Sequence, residues 1–351
     1  MNSSSCSAVF LSMYRIKWYR VIYMKAKAWL YAIVMGLVVP GVLFSVGQRF
    51  VPEQLPAPTD ETTHETVEQT VEQTEQTPIS KDKTISVLMS DGVVTEMNMD
   101  TYLVGVVLAE MPSDFEMEAL RAQAVVSRTY ALKRNAGEKH AGGAVCTVSS
   151  CCQAYRTAAE YLAGGGTQAA VGKVTAAVES THAQVLTYKG ALIEATYFSC
   201  SGGRTEDAAA VWGNHIPYLQ AVDSPGEENA AHYTDTVQFI GSEFAALLGI
   251  NPKGAPSSWL GSVRYTAGGG VDTMTIGGKS FSGVMLRQKL GLRSTAFAIS
   301  ASGDTVTVTT KGFGHRVGMS QYGADAMAVQ GSTYRQILAH YYPGTELTLD
   351  S

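Results

Sequence analysis

From residue 85 onward the apolar positions of the chain alternate between two periods. Residues 85–97, ISVLMSDGVVTEM, interleave apolar and polar side chains around an Asp91-Gly92 pair, which predicts a β-hairpin turning there. Asp100 then reads as the cap of a short helix with Tyr102, Val106 and Ala109 on one face, closed by Pro112. Ser113 and Glu116 have capping-box spacing and open a longer helix to about Asn135, stopped by Gly137. Leu120, Ala124 and Ala131 give that helix a small-residue packing stripe beside a second stripe of Arg121, Val125, Arg128 and Leu132. Further strands are expected in QVLTYKGALIEATYFS, VDTMTI and DTVTVTTKG, and helices near SEFAALLG and from Ser332 to Tyr342. The expectation is an α+β ectodomain over residues 81–351, with helices and sheets mixed around a substrate cleft.

Upstream the pattern changes. Residues 28–48 are uncharged and include WLYAIVMGLVV, and a helix of that length spans about 31 Å, one hydrocarbon core. A single N-terminal transmembrane helix is predicted at 28–48. Arg15, Lys17, Arg20, Lys25 and Lys27 precede it and only Arg49 follows, which places residues 1–27 in the cytoplasm and the rest outside. A cleaved signal peptide is the competing reading, but the run is long and no small-x-small cleavage site follows it. Residues 49–80 contain a Thr-Glu-Gln-rich acidic stretch with almost no large apolar side chain, the composition of a flexible stalk. Such a stalk reaches at most about 100 Å.

Composition narrows the class. With 351 residues, 45% apolar, 16% charged and a net charge of −5, the chain is globular, and no basic patch points to nucleic acid. Five cysteines at 6, 146, 151, 152 and 200 are too few and too crowded for a disulfide framework.

Several residues carry candidate chemistry. Glu110 falls in the last turn of the first helix after VGVVLA, where apolar neighbours and the negative end of the helix dipole both favour its protonated form, as a general acid requires. Arg121 and Arg128 can line a cleft, or form a solvated basic face with Glu118 pairing to Arg121. His140, Cys146 and Cys152, with Cys151 as a fourth candidate, supply the imidazole and thiolates that zinc prefers, on a Gly-Gly-containing loop. The alternatives are a Cys146–Cys152 disulfide and free thiols; a zinc ion there is expected to be mainly structural and near the cleft. A zinc hydrolase using this cluster with Glu110 as base is a further reading. GGKS at 277–280 lacks the first glycine of a phosphate loop, because Thr273 stands there.

Two stretches, YFSCSGGRT at 197–205 and GFGHRVGMSQYGA at 312–324, mix glycines with hydroxyl, amide and imidazole groups suited to gripping a polar ligand. With YLVGVVLAEMPSDFEMEALRAQAVVSRTYAL and HYYPGT they make the chain resemble the stage II sporulation protein D (SpoIID) family, which also contains amidase-enhancer proteins. The likeness spans roughly residues 85–345. It implies a membrane-anchored lytic transglycosylase that cuts peptidoglycan glycan strands during engulfment in endospore formation. It also implies a cell-wall amidase partner, stage II sporulation protein P, which strips stem peptides first, and a membrane scaffold, protein M. In that family the Glu of the V-x-x-E-M-P segment is the catalytic acid, here Glu110. Ser199, Ser201, His315, Ser320, Gln321 and Tyr322 are then the implied glycan contacts, and Cys200 stands where many members carry a hydroxyl. A non-catalytic glycan-binding enhancer of an amidase is the alternative that the same family offers. A lysozyme-like hydrolase would need a second carboxylate about 5–9.5 Å away, for which Asp114, Glu116 and Glu118 are the candidates.

Overall fold

The hairpin expected at 85–97 is present as strands β1 (Thr84–Leu88) and β2 (Val94–Asn98), paired antiparallel from Thr84 opposite Asn98 to Leu88 opposite Val94. Asp91 Oδ1 accepts the Val93 N–H at 3.0 Å, and Gly92 takes a φ of 86°, which closes the turn. Ile85 and Val87 point inward and are fully buried. The computed structural model describes residues 83–350 apart from residue 138, so the anchor at 28–48 and the stalk at 49–80 lie outside the described residues. Among the described residues no helix is long and apolar enough to cross a membrane.

Helix α1 (Met99–Glu110) follows, and its cap differs from the expected one. Asn98, not Asp100, is the N-cap, its side chain accepting the Thr101 N–H at 3.0 Å. Asp100 lies inside the first turn and instead holds Arg128 Nη2 at 3.0 Å and His182 Nδ1 at 2.6 Å. Nor is α1 one-faced: Tyr102, Leu103, Val106, Val107 and Leu108 are all fully buried, each large side chain contributing about 1.5–3 kcal/mol. A helix apolar all round belongs in the middle of a core.

Helix α2 (Met117–Asn135) has the expected end but not the expected capping box. Its N-cap Glu116 makes no side-chain cap bond, while Ser113 Oγ lies 2.8 Å from the Tyr161 hydroxyl and the Glu116 N–H goes to Asp325 Oδ1 at 2.7 Å. Capping boxes form at Thr157–Glu160 and Thr333–Gln336 instead. Both stripes of α2 are largely covered, because helices and strands pack around it, and Ala119 through Ala131 are buried apart from Arg121.

A third strand, β3 (Val145–Cys146), joins β1 in parallel with Cys146 opposite Leu88. Helices α3 (Ala158–Ala163) and α4 (Gln168–Glu179), strands β4 (Gln184–Tyr188), β5 (Ala191–Leu192) and β6 (Tyr197–Phe198), and the short α5 (Ala208–Trp212) complete this half. The chain then builds a second core from β7 (Thr234–Ile240), α6 (Gly241–Leu248), β8 (Leu260–Tyr265), β9 (Val271–Ile276), β10 (Lys279–Ser282), α7 (Gly283–Leu290), β11 (Ala296–Ser302) and β12 (Thr305–Lys311). Its sheets run β11-β12-β7 and β10-β9-β8, and they bury Phe244, Ile276, Leu286, Val306 and Val308. After that excursion β13 (Met319–Ser320), α8 (Gln321–Val329), α9 (Tyr334–Tyr341) and β14 (Glu346–Leu349) return to the first core, where β14 pairs with β4. The mixture of helices with antiparallel and short parallel pairs is α+β, as expected.

Candidate active site

Glu110 ends α1, and Met111 turns extended directly after it. The Ala154 N–H donates to its Oε1 at 2.5 Å, and the Tyr197 hydroxyl, in the same cavity, also favours its anion. Burial pushes the Glu110 carboxyl above its ordinary range, while these two groups pull the other way. In the last helical turn Arg156 Nε donates to Leu108 O at 2.8 Å, which offsets part of the negative helix end. Desolvation, rather than the helix dipole, is therefore the main cause that raises this carboxyl.

Glu110 faces a cavity of about 670 Å³. Ser199, His315 and Gln321 line it, as do Cys151 and Cys152. The two glycine-bearing motifs meet here because β13 pairs in parallel with β6, Met319 opposite Tyr197 and Ser320 opposite Phe198. Gly318 makes that approach feasible: at φ 85°, a Cβ would lie 2.1 Å from the Thr196 carbonyl oxygen. His315 Nδ1 accepts the Val317 N–H at 3.1 Å, and its ring lies between Phe198 and Trp212, with centroids 5.6 Å and 5.3 Å away. Burial and the nearby Arg287 charge lower the imidazole to about 4, so His315 is neutral near pH 7.

Other expected contacts serve the scaffold. Ser201 is fully buried, and Glu227 Oε2 accepts from its N–H at 2.7 Å and its hydroxyl at 2.8 Å. Ser320 caps α8 by accepting the Gly323 N–H at 3.2 Å. Tyr322 packs edge-on against Phe115 at 4.9 Å and donates its N–H to Ser199 O at 3.1 Å, but it is not itself among the residues that line the cavity. Neither arginine of the α2 stripe reaches the cavity. Arg121 pairs with Glu118 and donates to Ser180 Oγ at 3.0 Å, while Arg128 is 1% exposed and donates to Thr181 O at 2.7 Å and to Asp100. Arg128 thus ties the start of α1 to the end of α4. Cys200 is buried between Phe313 backbone groups, and burial raises its thiol to about 11, which makes it a packing residue rather than a reactive one.

The cavity also contains residues that the sequence had not singled out: Tyr130 and Arg134 on α2, Ser149, Ser150, Thr196 and Trp212. Tyr130 and Arg134 are spaced i,i+4 on α2 with the guanidinium 5.0 Å from the ring centroid, a pattern visible in the sequence once the helix is placed. Of the carboxylates among the described residues, Glu110 alone lines the cavity. Glu118 is taken up by Arg121 and the Tyr334 N–H, and Asp114 and Glu116 are likewise absent from the lining.

The residues matching the stage II sporulation protein (SpoIID) family model are 90–188, which include Glu110 and the cysteine-rich loop. Stage II sporulation protein D of Bacillus subtilis (strain 168) is 41% identical over 261 residues, 73% of this chain and 76% of that protein. Its counterpart in Bacillus amyloliquefaciens is 38% identical over 279 residues, 77% of this chain and 81% of the relative. The chain belongs to the SpoIID family. It is therefore one of a family of sporulation proteins. The amidase enhancer of Bacillus subtilis is also similar, 29% identical over 305 residues, which are 70% of this chain but 40% of that longer protein.

Beside the SpoIID cleft, the ligand atoms of His140, Cys146, Cys151 and Cys152 all lie within 4.8 Å of one another. The Cys151 and Cys152 sulfurs are 3.4 Å and 3.5 Å from His140 Nε2. Tetrahedral zinc with bonds of about 2.0–2.3 Å requires ligand atoms about 3.3–3.8 Å apart, so this set needs only a small contraction to fit. The four cysteines at 146, 151, 152 and 200 are free thiols. The parallel pairing of β3 with β1 brings Cys146 to the cluster, and Cys151 and Cys152 also border the cavity.

Proposed function

We propose that this SpoIID-family chain is a lytic transglycosylase that cleaves the bond between N-acetylmuramic acid and N-acetylglucosamine in peptidoglycan glycan strands during engulfment. The observation that carries the reading is that, among the described residues, Glu110 is the single carboxylate in the cavity, half-buried and with its proton favoured by desolvation. Neutral Glu110 protonates the bridging oxygen as the sugar ring gains oxocarbenium character. The carboxylate that remains is stabilised by the Ala154 N–H and the Tyr197 hydroxyl. It then takes the proton of the muramic C6 hydroxyl, which closes a 1,6-anhydro ring. One carboxylate serves both halves, whereas hydrolysis by a pair needs a second, which no described residue supplies to this cavity. Trp212, 42% exposed at the cavity, offers a sugar ring an aromatic face.

Mass analysis of products from purified, peptide-free glycan strands tests this. Anhydromuramyl ends are expected from the parent, and Glu110→Gln should lower their release by at least about 10²–10⁴-fold while glycan binding persists. Reducing muramyl ends, or undiminished release by Glu110→Gln, would overturn it. The likeness to an amidase enhancer favours a second reading, a glycan-binding enhancer of a cell-wall amidase. In that case Glu110→Gln would still stimulate the amidase in full.

His140, Cys146, Cys151 and Cys152 are proposed to hold a structural zinc. When bound, zinc would supply a cross-link that fixes the loop from 140 to 152 beside the cleft. The protein is further proposed to be held at the cell membrane by residues 28–48, with residues 81–351 outside, and to act with stage II sporulation protein P and protein M. Detergent, and not high salt, should release the full-length chain from membranes; release by salt alone would exclude the anchor.

A further inference from the structure

We propose that Gln153 is a positioning residue that makes Tyr197 a hydrogen-bond donor to Glu110, through a one-way chain of hydrogen bonds beginning at Tyr102. The inference rests on the reading of Glu110 as first acid and then base. The Tyr102 hydroxyl donates to Gln153 Oε1 at 3.2 Å, and Gln153 Nε2 donates to the Tyr197 hydroxyl oxygen at 3.2 Å. Tyr197 and Glu110 line the same cavity, and each acts on the other's titration.

The direction follows from proton counting. A primary amide donates at one end and accepts at the other, whereas a phenol has one proton. Tyr102 engages the carbonyl end of Gln153, so the NH₂ end faces Tyr197 and occupies that oxygen as an acceptor. The one Tyr197 proton is then left for Glu110. With the amide turned over, that proton would be drawn towards Gln153 and Glu110 would lose a donor. Tyr102 and Gln153 are both fully buried, so bulk water does not substitute for either. The Tyr102 ring is also held by stacking on Tyr155, with centroids 5.7 Å apart and planes 11° from parallel. Residue 154 completes the arrangement, since its N–H donates directly to Glu110 Oε1. Two successive residues therefore serve one carboxyl, Gln153 through Tyr197 and Ala154 directly.

This chain tunes an acid that must also act as a base. Donors to a carboxyl favour its anion and oppose the effect of burial, so they ease proton release in the first half and stabilise the base needed in the second. The titratable and charged groups around Glu110 are Tyr130 and Arg134 from α2, Cys151 and Cys152 from the loop, Tyr197 from β6, His315 before β13, Tyr102 on α1, and Arg156 on the α1 carbonyls. None of them takes the place of the Gln153 amide in orienting the Tyr197 proton.

The test uses the full-length chain in detergent micelles, purified without chelator and labelled with ¹³C at the glutamate carboxyls, with the Glu110 signal assigned by its loss in Glu110→Gln. Tyr197→Phe should raise the Glu110 titration midpoint by about one pH unit. Gln153→Met should raise it in the same direction and add nothing in the double variant with Tyr197→Phe. Tyr102→Phe removes one oxygen, frees the amide to turn over and should give a smaller rise. If Gln153→Met does not fold, Tyr102→Phe alone decides. The pH profile of anhydromuramyl release should move with the midpoint in Gln153→Met and Tyr102→Phe, with kcat lowered about tenfold in Gln153→Met and KM unchanged. A Glu110 midpoint unmoved in Tyr102→Phe, or additive effects in the double variant, would reduce Gln153 to a packing residue and overturn the proposal. If the midpoints shift as expected while the parent releases no anhydromuramyl product, the hydrogen-bond chain stands and the transglycosylase reading fails.

Discussion

Arg316 and Glu206 form an ion pair of 3.2 Å in which neither side chain is more than 2% exposed. Arg316 also donates from Nε to Ser201 O and from Nη2 to Arg204 O and Gly268 O, each at 2.7 Å. Glu206 Oε1 accepts the Gly270 N–H at 2.9 Å and the Thr266 hydroxyl at 2.8 Å. The pair thus fastens the turn between β8 and β9, which belongs to the second core, to the SCSGGRT segment that borders the cleft. Breaking one partner leaves an uncompensated buried charge. Arg316→Met is expected to cost about 3–5 kcal/mol in urea unfolding, and the double change with Glu206→Leu should recover much of that loss. An Arg316→Met loss below about 1 kcal/mol would contradict this account.

Glu110 carries a stability cost of its own. Its carboxyl titrates above the ordinary 4.5 because burial disfavours the charge. Between the unfolded and folded values the unfolded chain holds fewer protons, so the stability contributed by the neutral acid is full below 4.5 and is lost as pH rises through the folded value. Glu110→Gln is neutral at every pH. Its melting temperature should match the parent below about pH 4 and exceed it increasingly towards pH 8. A constant difference between the two melting curves over that range would disprove the burial argument.

His315 behaves in the opposite sense. Its value falls from 6.5 to about 4 because the ring is desolvated, so the unfolded chain binds more protons between those values. Stability from this group is therefore present above pH 6.5 and is lost as pH falls through about 4. His315→Gln should flatten the acid limb of the stability curve, measured by denaturant unfolding from pH 4 to pH 7. An acid limb as steep as the parent's would show that the ring is charged in the folded protein.

Gly318 tests how the site is assembled. An alanine there would place Cβ 2.1 Å from Thr196 O, at a φ of 85°. Gly318→Ala should separate β13 from β6, cost about 2–4 kcal/mol and remove glycan binding together with activity. A variant with the parent's melting temperature and binding would show that the strand pairing does not organise the cleft.

For the metal cluster, elemental analysis of the full-length chain purified without chelator should find about one equivalent of zinc. Cys152→Ser should lower that content and the melting temperature together. Zinc below about one tenth of an equivalent, with Cys146 and Cys152 blocked to thiol reagents, would mean a disulfide instead.

Local order was legible wherever one residue pattern has one physical solution. The Asp91-Gly92 hairpin, VDTMTI as β9 and the α2 end near Asn135 all follow from periodicity and turn chemistry. Caps were less legible, because Ser, Asp and Asn at neighbouring positions compete for the same N–H groups. Asn98 took the α1 cap once Asp100 was claimed by Arg128 and His182, a contact that depends on chain more than 80 residues away for its histidine. The motif at 197–205 was visible as unusual, but its division of labour was not. Ser199 faces the cavity, while Ser201, two residues on, is turned inward to Glu227.

By itself the sequence determined the α+β class, the position of Glu110 at a helix end and the gathering of three thiols and an imidazole within thirteen residues, because each depends on neighbours in the chain. Only the tertiary structure decided that Arg128 is a buried tie rather than a cleft cation, that Ala154 and Tyr197 come to Glu110, and that no second carboxylate among the described residues shares the cavity. Those outcomes depend on the pairing of β6 with β13 across more than 100 residues and on the packing of α2 from several sides. Desolvation, which sets the charge and the availability of every one of these groups, is a property of the assembled surroundings and is not encoded at any single position.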